Sequence, residues 1–313
     1  MSTARSIHFT GALFGSRGSV RRREIKRQIT GITFISPWIV GFVCFTIYPI
    51  AASLYYGFTR YDVVRPPRFI GLDNYQKILL DDRIFRIVLS NTLYFVVFGL
   101  PAAIVTAFLV ANLLNTDVRG RSLYRTIFFI PSIVPAVSSA MVWLFIYNTE
   151  YGLISSMLSL MGLPAIPWLS SAALAKPSLI IIQCWAQGSA IVIFLAALQD
   201  VPRELYEAAV IDGASTPQRF RHITIPMCTP SIFFITITGL IGTFQSFTMP
   251  YLLTGGGPNN ATELYAVYLY RNAFQYFKMG YASALAWILF IVVVFFSIIT
   301  FRSSNRWVYY AGK

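Results

Sequence analysis

Charge is what this sequence has least of. Asp, Glu, Lys and Arg make up 12% of its 313 residues, about half of the roughly 25% carried by a soluble domain. So little charge cannot coat a globular surface of this size, which excludes an ordinary cytosolic enzyme, a disordered chain and a nucleic-acid-binding domain. Histidine is confined to His8, in a tail rich in Ser, Gly and Arg, and His222, among arginines. With no nucleophile, base or metal cluster in view, catalysis has little to work with, and neither an enzyme nor a metal site is expected. The cysteines Cys44, Cys184 and Cys228 are odd in number, form no CxxC pair and lie in or beside apolar segments. Free, buried thiols are expected rather than a disulfide framework or a zinc site. A GxxxxGK[ST] phosphate loop is missing; Gly255-Gly256-Gly257-Pro258 has no following Lys-Ser/Thr and reads as a turn. If ATP is used, another chain binds it. No TVGYG-like filter is present either, which speaks against a potassium-type channel.

What is there is apolar. Hydrophobic residues make up 56% of the chain and the mean hydropathy is +0.62. A helix needs about 20 apolar residues to cross the hydrocarbon core, and six stretches qualify: 32–58, 87–114, 126–147, 177–199, 227–253 and 281–301. None holds an Asp, Glu, Lys or Arg. Ion-coupled carriers usually keep ionisable groups inside their helices, so their absence argues against that class and against voltage sensing. The expected fold is an all-α integral membrane protein with six transmembrane helices. It divides into a basic tail (1–31), a six-helix domain (32–302) and a C-terminal tail (303–313).

Orientation follows the positive-inside rule. The two tails, the second loop (Arg119, Arg121, Arg125) and the fourth loop (Arg203, Arg219, Arg221) together carry 16 basic residues, against 9 on the other side. Both termini are therefore expected in the cytoplasm. The first apolar run is too long for a signal-peptide h-region and lacks a small-x-small cleavage site, so an uncleaved first helix is expected. Arg21–Arg23 suit a juxtamembrane anchor on anionic lipid better than nucleic acid.

The segment 200–230, DVPRELYEAAVIDGASTPQRFRHITIPMCTP, reads as two short helices joined at a glycine. Pro202 suits a helix start. Leu205, Ala208, Ala209 and Ile211 give an apolar side, Gly213 can adopt a positive φ and stop the helix, and Ser215 with Gln218 fits a capping box for a second helix. The array Glu207-Ala208-Ala209, three residues, Gly213, nine residues, Ile223-Thr224-Ile225-Pro226 resembles the EAA loop of the membrane subunits of binding-protein-dependent ABC importers. Ile225 replaces the usual Leu. Asp212, Ala214 and Phe220 match the carbohydrate-uptake branch, which includes maltose, glycerol-phosphate and alginate-type permeases. Phe69-Ile70-Gly71-Leu72-Asp73-Asn74-Tyr75, Asn91-Thr92, Phe128-Phe129-Ile130-Pro131 with Pro135 and Trp143, and Tyr251-Leu252-Leu253-Thr254 with Gly256-Gly257-Pro258 extend the resemblance over most of the chain.

The resemblance implies a type I importer permease, N-in and C-in, in the bacterial inner membrane. It implies a second homologous permease subunit, most simply a different one, two ATP-binding subunits that hold ATP and Mg, and an extracytoplasmic solute-binding protein that docks on loops 57–86 and 255–280. No cofactor is expected in this chain. The loop 200–226 would couple to the ATPase through Glu207, Ala208, Ala209, Asp212, Gly213, Phe220, Ile223 and Pro226. For Glu207 the alternative is a surface pair with Arg203, four residues back. A mid-membrane sugar pathway is expected on the fourth and fifth helices. The polar side chains there are Gln183, Trp185, Gln187, Ser189, Thr243, Gln245 and Ser246, and Gly239 and Gly242 leave room. The resemblance places sugar-contacting positions near Trp185, Ala186, Ser189, Gly239, Gly242 and Thr243. Such residues also serve as helix–helix contacts. The basic outer residues Arg65, Arg68, Arg83, Arg86, Arg271 and Lys278 leave an acidic cargo open beside a neutral one. An ATP-independent secondary carrier is the competing reading, and it leaves the EAA pattern without a role.

Overall fold

The computed structural model describes residues 17–116 and 119–310, with side chains from residue 28 onward. Arg5, His8, Lys313 and the side chains of Arg17, Arg21, Arg22, Arg23, Lys26 and Arg27 lie outside that description. The chain divides into two units, Met1–Tyr55 and Tyr56–Lys313.

The first unit is dominated by α1 (Gln28–Gly57), whose most apolar stretch has no buried residue. Phe34 and Phe45 are 82% and 83% exposed. A helix that is apolar all round and open on every face needs lipid or a partner helix to cover it. Cys44 is exposed on this helix, against the expectation of a buried thiol, whereas Cys184 is half-buried and Cys228 buried.

The second unit begins with a small cap. Strands β1 (Thr59–Arg60) and β2 (Arg68–Phe69) pair antiparallel, and a one-turn helix α2 (Asp73–Gln76) follows. Asn74 closes the cap by donating from Nδ2 to the carbonyls of Gly57 and Thr59, both at 2.9 Å. Then come α3 (Arg83–Leu114), α4 (Arg121–Ile133), α5 (Ala136–Ile146), α6 (Leu153–Leu160), α7 (Ala172–Trp185), α8 (Gly188–Gln199) and α9 (Arg203–Ile211). The series ends with α10 (Thr216–Phe244), α11 (Thr248–Thr254), α12 (Tyr265–Tyr270) and α13 (Met279–Trp307).

Among the described residues four helices, α1, α3, α10 and α13, are each long and apolar enough to cross a membrane. The third and fourth expected spans are not continuous. They are the pairs α4–α5, bent by 103°, and α7–α8, bent by 49°. Six crossings result if each bent pair counts as one. The first bend follows from Pro135. The residue before a proline is pushed out of the helical region, and Val134 is extended at φ −67°, ψ 130°. At the second, Ala186 and Gln187 have ψ of 10° and 20°. Gly188 then lets α8 start against α4: a Cβ there would lie 2.7 Å from Ser132 Oγ and 3.0 Å from the carbonyls of Phe128 and Phe129. The fifth expected span also breaks, between Phe244 and Thr248. Phe247 leaves helical geometry at φ −125°, ψ −57°, and Pro250 has no N–H to carry the ladder back across the gap.

Three buried clusters hold the second unit together. One joins α3, α10, α12 and α13 through Phe85, Leu100, Phe244, Tyr265 and Leu285. A second joins α3, α8 and α10 through Phe108, Phe194, Leu198 and Cys228. The third joins α3, α5, α7 and α11 through Phe95, Tyr147, Ile182 and Leu253.

Candidate functional site

The residues singled out on the fourth and fifth segments converge in part. A cavity of about 270 Å³ is lined by Gln183 and Gln187 from the α7–α8 bend, and by Gly239, Gly242, Thr243 and Ser246 from the end of α10. Phe95, Leu100 and Ile104 of α3 and Ile235 of α10 complete the lining. Those four carry no sequence signal of a site, because apolar side chains on an apolar helix look like any others. Every side chain in the lining is uncharged. Trp185, Ala186, Ser189 and Gln245 do not line this cavity. They are exposed, and Trp185 meets Trp143 edge-on at 5.5 Å.

Both breaks lie beside the cavity, where non-helical backbone is tolerated because it borders a space rather than lipid. Gln187 donates from Nε2 to the Gln183 carbonyl at 2.9 Å, which occupies a backbone acceptor at the bend. Gly242 faces open space, with nothing within 4 Å of where a Cβ would stand. Gly239 packs tightly, with its would-be Cβ 2.5 Å from Leu100 Cδ1, and Thr243 is buried.

The loop at 200–226 forms a hairpin, though not with two short helices. After α9, Gly213 takes φ +77°, and the Ala214 N–H returns to the Ala209 carbonyl at 2.8 Å. At the start of the next helix, Gln218 Oε1 accepts from Ser215 N at 2.7 Å and from Ser215 Oγ at 2.8 Å. That helix is not separate. It continues as α10 through a π-helical turn, Phe220–Thr224, and on past Pro226 and Pro230. The wide turn has already displaced the hydrogen-bond pairing where Pro226 has no N–H to give.

Tyr206, which the sequence did not single out, ties the two arms together: its hydroxyl and Thr224 Oγ1 are 2.9 Å apart. The Phe220 ring lies 5.9 Å from that of Phe108, and Ile223 packs on the cluster around Phe194. Ala209, Asp212, Gly213 and Ile223 line a cleft of about 340 Å³ together with Arg219 and His222. Glu207 and Ala208 are exposed on the open side, beside Leu205, Val210 and Ile211, which are exposed at 42%, 54% and 86%. Among the described residues Glu207 has no ion-pair partner, Arg203 included. Pro226 is half-buried at the base.

At the opposite end of α3, Asn91 Nδ2 donates to the carbonyls of Asn260 at 2.7 Å and Glu263 at 3.0 Å. Thr92 Oγ1 accepts from Tyr265 N at 2.9 Å. These bonds anchor the loop after α11, in which buried Glu263 pairs with Arg271 at 2.8 Å. Asp82 caps α3, accepting from Ile84 N and Phe85 N at 2.9 and 3.0 Å. Its other oxygen accepts from the hydroxyls of Tyr268, at 2.5 Å, and Tyr281. Burial works to raise the Asp82 carboxyl, but these four bonds outweigh it and hold the group below its ordinary value. Burial, then the bond to Asp82, push the Tyr268 hydroxyl up to about 12. Among the described residues no three His, Cys, Asp or Glu side chains converge as a metal site.

Open apolar helices, a small uncharged polar cavity between helix breaks and a hairpin at one end are the features of a multi-pass membrane protein. Residues 99–308 match the family model described as binding-protein-dependent transport system inner membrane component. The chain is 39% identical over 304 residues to the probable ABC transporter permease protein YesP of Bacillus subtilis (strain 168), covering 96% of this chain and 98% of the relative. It is 31% identical over 287 residues to the multiple sugar-binding transport system permease protein MsmF of Streptococcus mutans serotype c (strain ATCC 700610 / UA159), covering 91% and 98%. Its fold matches a chain of a bacterial ABC transporter involved in the import of the acidic polysaccharide alginate, with a TM-score of 0.77 and 24% identity over 91% of this chain and 98% of that one. The chain belongs to the family of inner-membrane components of binding-protein-dependent transport systems. It is an ABC transporter permease.

Proposed function

We propose that this permease forms half of the passage through which a sugar or oligosaccharide enters a bacterial cell across its cytoplasmic membrane. A solute-binding protein delivers the cargo on the side of the β1–β2 cap and the loop after α11. Two ATPase subunits, which hold ATP and Mg, seat on the hairpin, and a second, homologous permease completes the passage. The observation that carries this reading is the shared mounting of cavity and hairpin. α10 lines the cavity with Gly239, Gly242 and Thr243 and carries Ile223 of the hairpin near its other end, and α8, entered from the cavity-lining Gln187, packs on the hairpin through the cluster around Phe194. A docking motion at the hairpin then reaches the cavity as rigid-body movement of those two helices.

The sugar assignment draws support from the MsmF relative and from the cavity's chemistry. Amides and hydroxyls from Gln183, Thr243 and Ser246, beside Phe95, are groups that orient a polyol. Trp185, Ala186, Ser189 and Gln245, exposed on this chain, are assigned to the face shared with the second permease. Glu207 is assigned the ionic contact with the ATPase. The cavity's uncharged lining gives neutral sugars a place without a counter-charge; an acidic cargo draws its counter-charge from the partner or the outer loops.

Reconstitution of the assembled transporter in proteoliposomes tests this reading. Uptake of labelled sugar is expected only with both ATP and the binding protein present. Uptake without ATP contradicts it and restores the secondary-carrier reading.

A further inference from the structure

We propose that the pocket enclosed by α3, α4, α8 and α9 binds the phosphate of an anionic lipid headgroup. The pocket measures about 520 Å³ and is lined by Arg121, Arg125 and Arg203, with Asn115, Gln199 and Tyr206 beside them and, among the described residues, no carboxylate. Arg125 Nε is buried and, among the described residues, has no hydrogen-bond partner. With the Gln199 amide turned so that its oxygen faces the arginines, that oxygen accepts from Arg125 Nη2 at 2.8 Å and from Arg121 Nη2 at 3.1 Å. Arg121 is also fixed through Nε to the Leu114 carbonyl at 2.9 Å. The Gln199 oxygen therefore sits between two of the three guanidinium groups, and Arg121 Nη2 also reaches Asn115 Oδ1 at 3.3 Å. A phosphate, which guanidinium forks grip in two-point fashion, gives Arg125 Nε the acceptor it lacks and Arg203 a counter-charge.

Two features favour a lipid as the source of the phosphate. The pocket sits where the apolar helices α3 and α8 end, at Leu114 and Gln199, which is the depth at which acyl chains give way to headgroups. On α4, directly beside Arg121 and Arg125, Leu123, Tyr124, Ile127 and Phe128 are all exposed, by 63%, 47%, 49% and 40%. They offer an apolar surface for the chains of a lipid whose headgroup enters the pocket. The inference needs only that the helices span a membrane; it does not depend on the cargo.

The test is native mass spectrometry of the complete transporter taken from nanodiscs containing equal parts phosphatidylglycerol and phosphatidylcholine. The wild type is expected to retain phosphatidylglycerol in preference to phosphatidylcholine. Arg125→Gln is expected to lower that retention roughly fivefold, the size of one basic residue's attraction at an anionic surface, whereas Arg125→Lys keeps most of it. Equal retention by wild type and Arg125→Gln overturns the proposal. Displacement of the lipid by added inorganic phosphate also overturns it, by making a soluble anion the occupant. So does retention confined to complexes that have lost the ATPase, since the pocket then belongs to an acidic group of that partner. Should Arg125→Gln fail to assemble, Arg203→Gln answers the same question from the other wall.

Discussion

Gly242 is the residue at which the proposed passage is most easily closed without touching the fold. Nothing lies within 4 Å of its would-be Cβ, so a side chain there grows into the cavity rather than into packed atoms. Gly242→Ala is expected to transport close to normally, and Gly242→Trp to stop uptake while assembling at wild-type levels. Uptake measured beside the yield of purified complex checks both halves. Asp82 carries a pH dependence with a definite sign. Its carboxyl is held below the ordinary value of 3.8 in the folded protein. The stabilisation is therefore present above the unfolded value and is lost as pH falls through the folded one. Thermal unfolding of the detergent-solubilised protein should show the wild type losing melting temperature below about pH 4 more steeply than Asp82→Asn, which lacks the titrating group. An Asp82→Asn profile as steep as the wild type's assigns the acid sensitivity to other carboxyls. Neither residue was equally visible in the sequence. Gly242 stood out as a small residue on an apolar helix. Asp82 read as one of several acids in the first loop, because its partners Tyr268 and Tyr281 lie nearly two hundred residues away.

At the scale of elements, the hairpin and the outer cap each turn on a glycine, for different reasons. Gly213 has φ +77° and open space where a Cβ would go. Gly213→Ala therefore costs only the left-handed backbone penalty, about 1–2 kcal/mol, and leaves the bundle intact. Its expected effect is weakened coupling, read as fewer sugars moved per ATP hydrolysed with little change in melting temperature. Gly280 is a steric requirement. A Cβ there would stand 2.1 Å from the Thr59 carbonyl oxygen, so Gly280→Ala must push α13 and the cap apart, and loss of folded protein is expected. Element type was legible throughout: charge-free apolar runs announced helices, and the prolines and glycine of 200–226 announced the hairpin. Continuity was not legible. Hydropathy does not distinguish a straight span from one that breaks at Pro135, at Ala186–Gln187 or at Gln245–Phe247, because the broken residues remain apolar or neutral. Tertiary contacts such as Gly188 against Ser132 decide the break. Four of the seven polar side chains named on the fourth and fifth segments line the cavity, and the other three do not.

For the whole molecule, the account joins three parts of one chain. The loops at the end of α3 away from the hairpin are pinned by Asn74, Asn91 and Thr92. The neutral cavity lies between helix breaks, and the hairpin runs directly into α10, which lines that cavity. The polar motifs that pin the outer loops were readable as motifs, but their geometric work, one side chain bonding two distant carbonyls, emerges only from the fold. The open apolar faces of α1 and of α9, with Ile211 at 86% exposure, call for lipid or another chain to cover them. The account therefore stands or falls on those partners. Affinity purification of the tagged chain from its native membrane in mild detergent, followed by identification of the chains that accompany it and an ATPase assay, is the most direct measurement. The account predicts an ATP-binding subunit and a second permease bearing an EAA loop, with hydrolysis stimulated by a solute-binding protein and its sugar. A stable chain recovered without an ATPase partner, or hydrolysis indifferent to binding protein and sugar, would contradict it.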